Sequence, residues 1–205
     1  MASPSPTTPC PPSAFVTFLL EFYSAARNVT KPGASLYICH ADSEGASFRT
    51  ALLEAGWLLK QCLIWVKDRF VLGRQDYHWQ HEPILYGWNP GAPHTWTGDR
   101  KQSTILEYPK PNRNAEHPTM KPVALIERCL KNSTHPGAIV LDPFAGSDST
   151  LIAAHATRRR ARLLEIDPRY CDVILRRWQA HTHETPVLER TGEPHSFPET
   201  VEASR

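Results

Sequence analysis

Paired cysteines are missing from this sequence. The five it has, Cys10, Cys39, Cys62, Cys129 and Cys171, are odd in number and widely spaced, with no Cys-x-x-Cys. That argues against a disulfide framework or a cysteine zinc site and fits reduced thiols in the cytoplasm. His181 and His183 stand near the C-terminus with no further ligand at a metal-like spacing, so no metal centre is expected. Long hydrophobic runs are absent as well. A stretch such as residues 14–20 is far too short to cross a bilayer, and no basic residue precedes it as a secretory leader would require. The chain also lacks a strong excess of charge. A formal net charge of +2 carries no nucleic-acid signature, and a case for DNA has to come from motifs.

What is present is ordinary for a globular protein: 205 residues, 40% hydrophobic and 21% charged, enough for one domain with a core. Sixteen of the nineteen prolines lie in the first twelve residues, around residues 83–122 and in the last forty-five. The first thirteen residues carry no charge and no apolar period, so residues 1–13 read as a disordered leader. Phe15, Phe18, Leu19, Phe22 and Ala25 recur at helical spacing, which predicts a helix over residues 14–28. Short strands are expected at 36–39, 62–66 and 83–87, with a helix capped by Ser43 and ended by Gly56 between the first two. Residues 89–116 read as an irregular insertion. Regularity returns with a helix at 123–130, a strand at 138–141, a helix at 149–157, a strand at 161–166 and a helix at 168–180. The residues from 179 to 205 read as a flexible tail. Strands alternating with helices predict an α/β fold with a mainly parallel sheet.

The sharpest feature is Asp142-Pro-Phe-Ala-Gly-Ser-Asp-Ser-Thr150, lying between an apolar strand and a helix. Open α/β sheets bind ligands there, at the carboxyl end of a strand beside a helix N-terminus. Ala145, Gly146 and Ser147 are small enough for a ligand to approach the backbone. About twenty residues on, a second strand ends in Glu165-Ile166-Asp167-Pro168, and a carboxylate at that distance can accept both hydroxyls of a ribose. The competing reading is a tight turn followed by a helix-capping acid. The ordered series of strand, loop, helix, strand and acid favours a nucleoside cofactor.

These residues resemble the β-group of DNA amino-methyltransferases, the family that methylates the exocyclic nitrogen of adenine (N6) or cytosine (N4). The match runs from His117-Pro-Thr-Met-Lys-Pro122 through the Asp142 loop to Glu165–Tyr170. It extends upstream through Ile64–Lys67, Gly73–Trp79 and His81–Gly87, and covers roughly residues 15–178. The resemblance implies a Rossmann-like, S-adenosylmethionine-dependent fold over residues 14–178, methyl transfer to double-stranded DNA at a specific site, and a setting such as restriction-modification. It implies a cofactor site built from His117, Thr119, Lys121, Asp142, Phe144, Ala145, Gly146, Ser147, Ser149, Glu165 and Asp167. In it Glu165 binds the ribose, and Lys121 either pairs the methionine carboxylate or is a solvated lysine at a helix start. Phe144 either faces the sulfonium, since aromatic faces attract cations, or packs as a core residue. By position, residues 89–116 become the target-recognition segment. There Arg100, Lys101, Lys110 and Arg113 are candidates for phosphates, and Asn112 or Asn114 for a base edge.

The sequence departs from the family's pattern twice. Asp148 stands where the pattern has a second glycine, so it either crowds the loop or caps the following helix. The catalytic tetrad, Asp or Asn followed by Pro-Pro and an aromatic, is absent, and its expected place upstream of residue 14 is held by the Pro-rich leader. In the family the tetrad's acid and carbonyl groups accept the target amine's hydrogens and localise its lone pair, while the aromatic stacks on the flipped base. No catalytic residue is therefore assigned. The chain alone is expected to transfer little methyl, and the sheet is expected to lack the strand that carries the tetrad. A truncated or wrongly started reading frame and half of a split enzyme both fit this pattern. The alternatives are a non-catalytic cofactor- or DNA-binding subunit completed by a partner chain or homodimer, and a methyltransferase acting on RNA or a small molecule. The run Arg158-Arg159-Arg160-Ala161-Arg162 reads as a solvated turn. Gln75, Asp76, His78, His81 and Glu82 with Tyr77 and Trp79 read as a wall facing DNA or substrate.

Overall fold

A computed structural model describes residues 12–111, 120–146, 148–195 and 197. The leader up to residue 11 lies outside them. The chain divides into two compact units, residues 1–96 with 100–107 and residues 97–99 with 108–205.

In the first unit, α1 (Pro12–Val29) turns through Lys31–Gly33 into β1 (Ser35–Cys39). A 3-10 turn (Asp42–Glu44) leads into α2 (Gly45–Glu54), then β2 (Leu58–Val71), β3 (Trp79–Trp88) and β4 (Ile105–Glu107). The sheet order is β1-β3-β2-β4. Leu19 and Tyr23, one helical turn apart on α1, meet Ala51, Leu52 and Ala55 of the α2 region, Trp57 and Leu85 in one buried cluster. Trp57 satisfies its buried ring N–H on the Tyr23 carbonyl at 2.9 Å. The Asn89 side chain donates to the carbonyls of Arg27 and Thr30 at 3.1 and 3.0 Å, closing the end of α1 onto the end of β3. Gly87 is required by a close approach, since a Cβ there would lie 2.1 Å from the Leu58 carbonyl oxygen, beside the irregularity between Leu59 and Gln61.

The first unit's sheet is more antiparallel than the strand–helix alternation suggests. β3 pairs antiparallel with both β1 and β2, and only β4 joins β2 in parallel. β2 and β3 also run well past the segments expected from their apolar cores. The insertion expected over residues 89–116 is not wholly irregular, because Ile105–Glu107 docks on Ile64–Val66 as β4 with Leu106 buried. Ser43 sits inside the 3-10 turn and does not cap α2.

The second unit is a βαβ core: β5 (Ile139–Asp142), α4 (Ser149–Ala156) and β6 (Arg160–Leu163), flanked by α3 (Val123–Ser133) and α5 (Pro168–Thr182). β5 and β6 pair in parallel from Ile139 on Arg160 to Asp142 on Leu163. Leu130, Ala153 and Ala154 form the buried cluster, with Val123, Ile126, Val140 and Ala161 against it. The arginine run is not simply solvated. Arg159 donates to the Thr134 carbonyl at 2.6 Å, to the Thr134 hydroxyl at 3.1 Å and to the Thr157 carbonyl, joining the ends of α3 and α4. Nor is the tail wholly loose. Val187 bridges Pro194, and buried Phe197 exchanges hydrogen bonds with the Gln179 side chain at 3.0 Å. No helix among the described residues is long and apolar enough to cross a membrane.

Candidate cofactor site

Parallel pairing puts the carboxyl ends of β5 and β6 side by side, so the loops that follow them leave from one edge. Leu164 donates its N–H to the Asp142 carbonyl and Ala145 donates to the Leu164 carbonyl, both at 3.0 Å. These bonds zip the two loops together just beyond the strands. Asp142 then organises the first loop: its carboxylate accepts from the Phe144 N–H at 3.1 Å and the Thr150 hydroxyl at 2.5 Å.

Glu165 closes the arrangement. One carboxylate oxygen accepts the Gly146 N–H at 2.9 Å, and the other accepts the Asp167 N–H at 3.0 Å. A carboxylate has about four acceptor sites, so two backbone bonds fix its orientation and leave room for a diol. Asp167 caps α5 through the Arg169 N–H at 2.9 Å, with Pro168 at the first helical position. The Arg169 guanidinium on the Asp167 carboxylate holds that acid below the usual range. The cap of α5 therefore falls to Asp167, while the Glu165 carboxylate binds backbone N–H groups of both loops.

Around the strand tips apolar groups face outward. Phe144, in the first loop, is 60% exposed, and Ile166, expected inside the strand at 161–166, is 97% exposed. Ser149 is buried and gives its hydroxyl to the Lys121 carbonyl at 2.7 Å, which draws the segment before α3 to the first turn of α4.

Asp148 caps nothing through its side chain. It occupies the N-cap position of α4 with φ 73° and no side-chain cap bond. Its side chain is fully buried, and Nη1 of Arg177 lies 2.9 Å from one carboxylate oxygen. That pair is an ion contact without hydrogen-bond geometry, since neither Asp148 oxygen has a hydrogen-bonded donor. Burial raises its pKa to about 7 against the opposing pull of Arg177. Asp148 is singled out by its sequence context, but nothing there points to Arg177, which approaches from the C-terminal half of α5.

Lys121, Asp142, Phe144, Ala145, Gly146, Ser149, Glu165 and Asp167 all lie in the second unit, and the bonds above draw the acids, the loop and the Lys121 segment together. His117, Thr119 and Ser147 fall outside the described residues, as do Asn112, Arg113 and Asn114. Of the basic candidates, Arg100 and Lys101 are exposed in the first unit and Lys110 belongs to the second. The wall at residues 75–82 has internal partners. Lys67 is buried against Glu82 at 2.8 Å, His78 stacks on Phe70, and Trp79 meets His81 edge-on.

The sequence model described as DNA methylase matches residues 11–176. The DNA adenine methyltransferase YhdJ of Escherichia coli (strain K12) is 28% identical over 202 residues, covering 82% of this chain and 68% of that protein. The type II methyltransferase M2.MboI of Moraxella bovis is 25% identical over 193 residues, covering 86% and 69%. Among solved structures, the M1.HpyAVI–SAM complex superposes with a TM-score of 0.67 at 25% identity, covering 78% of this chain and 82% of that one. The cytosine-N4-specific PvuII DNA methyltransferase shares the fold at 18% identity, with a TM-score of 0.65 over 80% of this chain and 70% of that one.

Proposed function

The chain belongs to the DNA methylase family, and from that premise we propose that its second unit holds S-adenosylmethionine at the tips of β5 and β6, for methyl transfer to an exocyclic amine of adenine (N6) or cytosine (N4) at a specific site in double-stranded DNA. One observation carries this reading. The Glu165 carboxylate accepts the Gly146 N–H at 2.9 Å, so the acid at one strand tip is joined directly to the small-residue loop at the other.

The residues suit the ligand's three parts. Glu165 keeps acceptor capacity for the ribose hydroxyls after its two backbone bonds. Phe144 presents an exposed ring, able to cover the purine or face the sulfonium. Lys121 and the N-terminal end of α4 offer positive charge and N–H groups for the amino-acid carboxylate. Ala145, Gly146 and Ser147 are small enough for close approach, Asp142 and Asp167 hold the two loops in shape, and His117, Thr119 and Ser149 belong to the donor site by their place in the family's pattern. When bound, S-adenosylmethionine supplies a methyl group on a positively charged sulfur. The chain's own contribution is to orient that methyl and shield it from water, the positioning part of the rate enhancement. Arg100, Lys101, Lys110 and Arg113 take phosphates and Asn112 a base edge. The reaction belongs in the cytoplasm, where DNA and reduced thiols coexist.

The proton-accepting tetrad must come from elsewhere, because no acid-Pro-Pro-aromatic sequence occurs in this chain. β5 offers a place for the strand that would carry it. Among the described residues β5 pairs only with β6, and Ile139 and Leu141 are exposed, unlike the buried residues usual in parallel sheets. The purified chain with DNA and methyl-labelled S-adenosylmethionine should transfer little or no label. Adding a chain that carries the tetrad should restore transfer. Robust transfer by the purified chain would refute the need for a complement.

A further inference from the structure

We propose that the face of the β5–β6 pair turned away from α3 and α4 is a docking surface for an amphipathic helix of the chain that supplies the tetrad, a helix whose apolar stripe is flanked by acidic residues. This rests on the need for a complement stated above and gives that complement a chemistry.

The register defines the face. Ile139 lies beside Arg160 and Leu141 beside Arg162 in the parallel pair. Successive side chains of a strand point to opposite faces. Val140 and Ala161 pack against Leu130 of α3 and Ala153 and Ala154 of α4. Ile139, Leu141, Arg160 and Arg162 therefore share the opposite face, and all four are exposed. Parallel sheets are ordinarily covered on both faces, and here one is bare. A strand that joins β5 in parallel is reached through a crossover, usually a helix. Because α3 and α4 hold one face, that helix falls on the other. β5 and β6 have four residues each, about 13 Å of strand, which about nine residues of helix cover.

Charge selects the occupant. Arg160 donates through Nε to the Gly137 carbonyl at 3.1 Å, and Arg162 through Nη1 to the Ala161 carbonyl at 2.9 Å. Each guanidinium is anchored by one such bond and keeps further N–H donors for a carboxylate. Neither arginine forms an ion pair with an acid among the described residues. A second copy meeting this face with its own would set arginine against arginine. DNA phosphates would suit the arginines and leave Ile139 and Leu141 without partners. A helix with leucines between rows of carboxylates satisfies both kinds of residue.

The test is fluorescence anisotropy on the full chain with two labelled, stapled helical peptides of about fourteen residues. Both carry one leucine stripe, flanked by glutamates in the first and by lysines in the second. The glutamate peptide should bind at least about tenfold tighter than the lysine peptide. Arg160→Glu with Arg162→Glu should reverse that preference. Ile139→Ser with Leu141→Ser should weaken the glutamate peptide about tenfold. Should the charge-reversed variant fail to fold by circular dichroism, Arg160→Gln with Arg162→Gln should abolish the preference instead. Equal binding of the two peptides, binding of neither, or a preference that survives loss of both arginines would overturn the proposal. A short DNA duplex that displaces the glutamate peptide from the parent would overturn it too, since the face would then be a nucleic-acid surface. S-adenosylhomocysteine, titrated alongside, should bind parent and variants alike. A parent that binds no S-adenosylhomocysteine but keeps the peptide preference would fell the donor reading and still support this surface.

Discussion

The two units bury their apolar residues differently. In the first, a ten-residue and a fourteen-residue strand form the body of the sheet, and Ala51, Leu52 and Leu85 lose all contact with solvent. In the second, two strands of four residues pair in parallel, and Ile139, at a strand position, is 58% exposed. Isolated two-stranded parallel pairing is weak, because parallel sheets rely on cover from both faces and both neighbours. The second unit draws its order instead from helix packing around Ala153 and from side chains that bind backbone: Asp142, Thr134, Arg159, Glu165 and Asp167. Packing carries the first unit. Polar clasps carry the second, and the candidate site is made of those clasps.

Removing packing should hurt the first unit most. Trp57→Ala deletes a buried ring and its bond to Tyr23 and should cost about 3–5 kcal/mol, read as a lower urea midpoint for the transition reported by the remaining first-unit tryptophans. A cost below about 1 kcal/mol would erase the contrast.

The pH responses should have opposite signs. Asp148 titrates near 3.8 unfolded and at about 7 folded. Its contribution is therefore most favourable below its unfolded value and is lost as pH rises through 7. Asp148→Asn should gain stability on the parent between pH 5 and 8, by at most about 4 kcal/mol. His40 is buried and its pKa is lowered from 6.5, chiefly by desolvation. Its contribution is present above pH 6.5 and is lost as pH falls through the depressed value. His40→Gln should therefore gain on the parent toward pH 5. Melting curves at several pH values check both signs.

Next in size, Arg159→Ala frees the Thr134 and Thr157 carbonyls that it binds and should cost the second unit about 1–3 kcal/mol. Smallest of all, Ile139→Ser should change the chain alone by no more than about 0.5 kcal/mol, because the side chain is already mostly in water. The same substitution should weaken assembly with a complementing strand, read by titrating restored methyl transfer.

What sequence made legible follows from range. The series β5, loop, α4, β6, Glu165 is local and periodic, and its elements lie within a residue or two of the expected bounds, apart from β6, which stops at Leu163. The extent of β2 and β3, the docking of Ile105–Glu107 and the antiparallel pairing of β3 depend on partners distant in the chain, which apolar runs do not encode. Asp148 shows the limit most plainly. The pattern's glycine marked the position, and helix capping is the local use of an aspartate there. The actual partner is Arg177 on another helix. Arg159 reads as solvated from sequence for the same reason, since the carbonyls it binds include one at the end of a different helix.

Calorimetry of the full chain with S-adenosylhomocysteine, parent against Glu165→Gln, bears most directly on the claim that two strand tips share one nucleoside recess. The parent should bind, and the variant should lose about tenfold or more, as for a charged acceptor taken from a diol. A folded parent that binds nothing at millimolar ligand, or a variant that binds as the parent does, would contradict it.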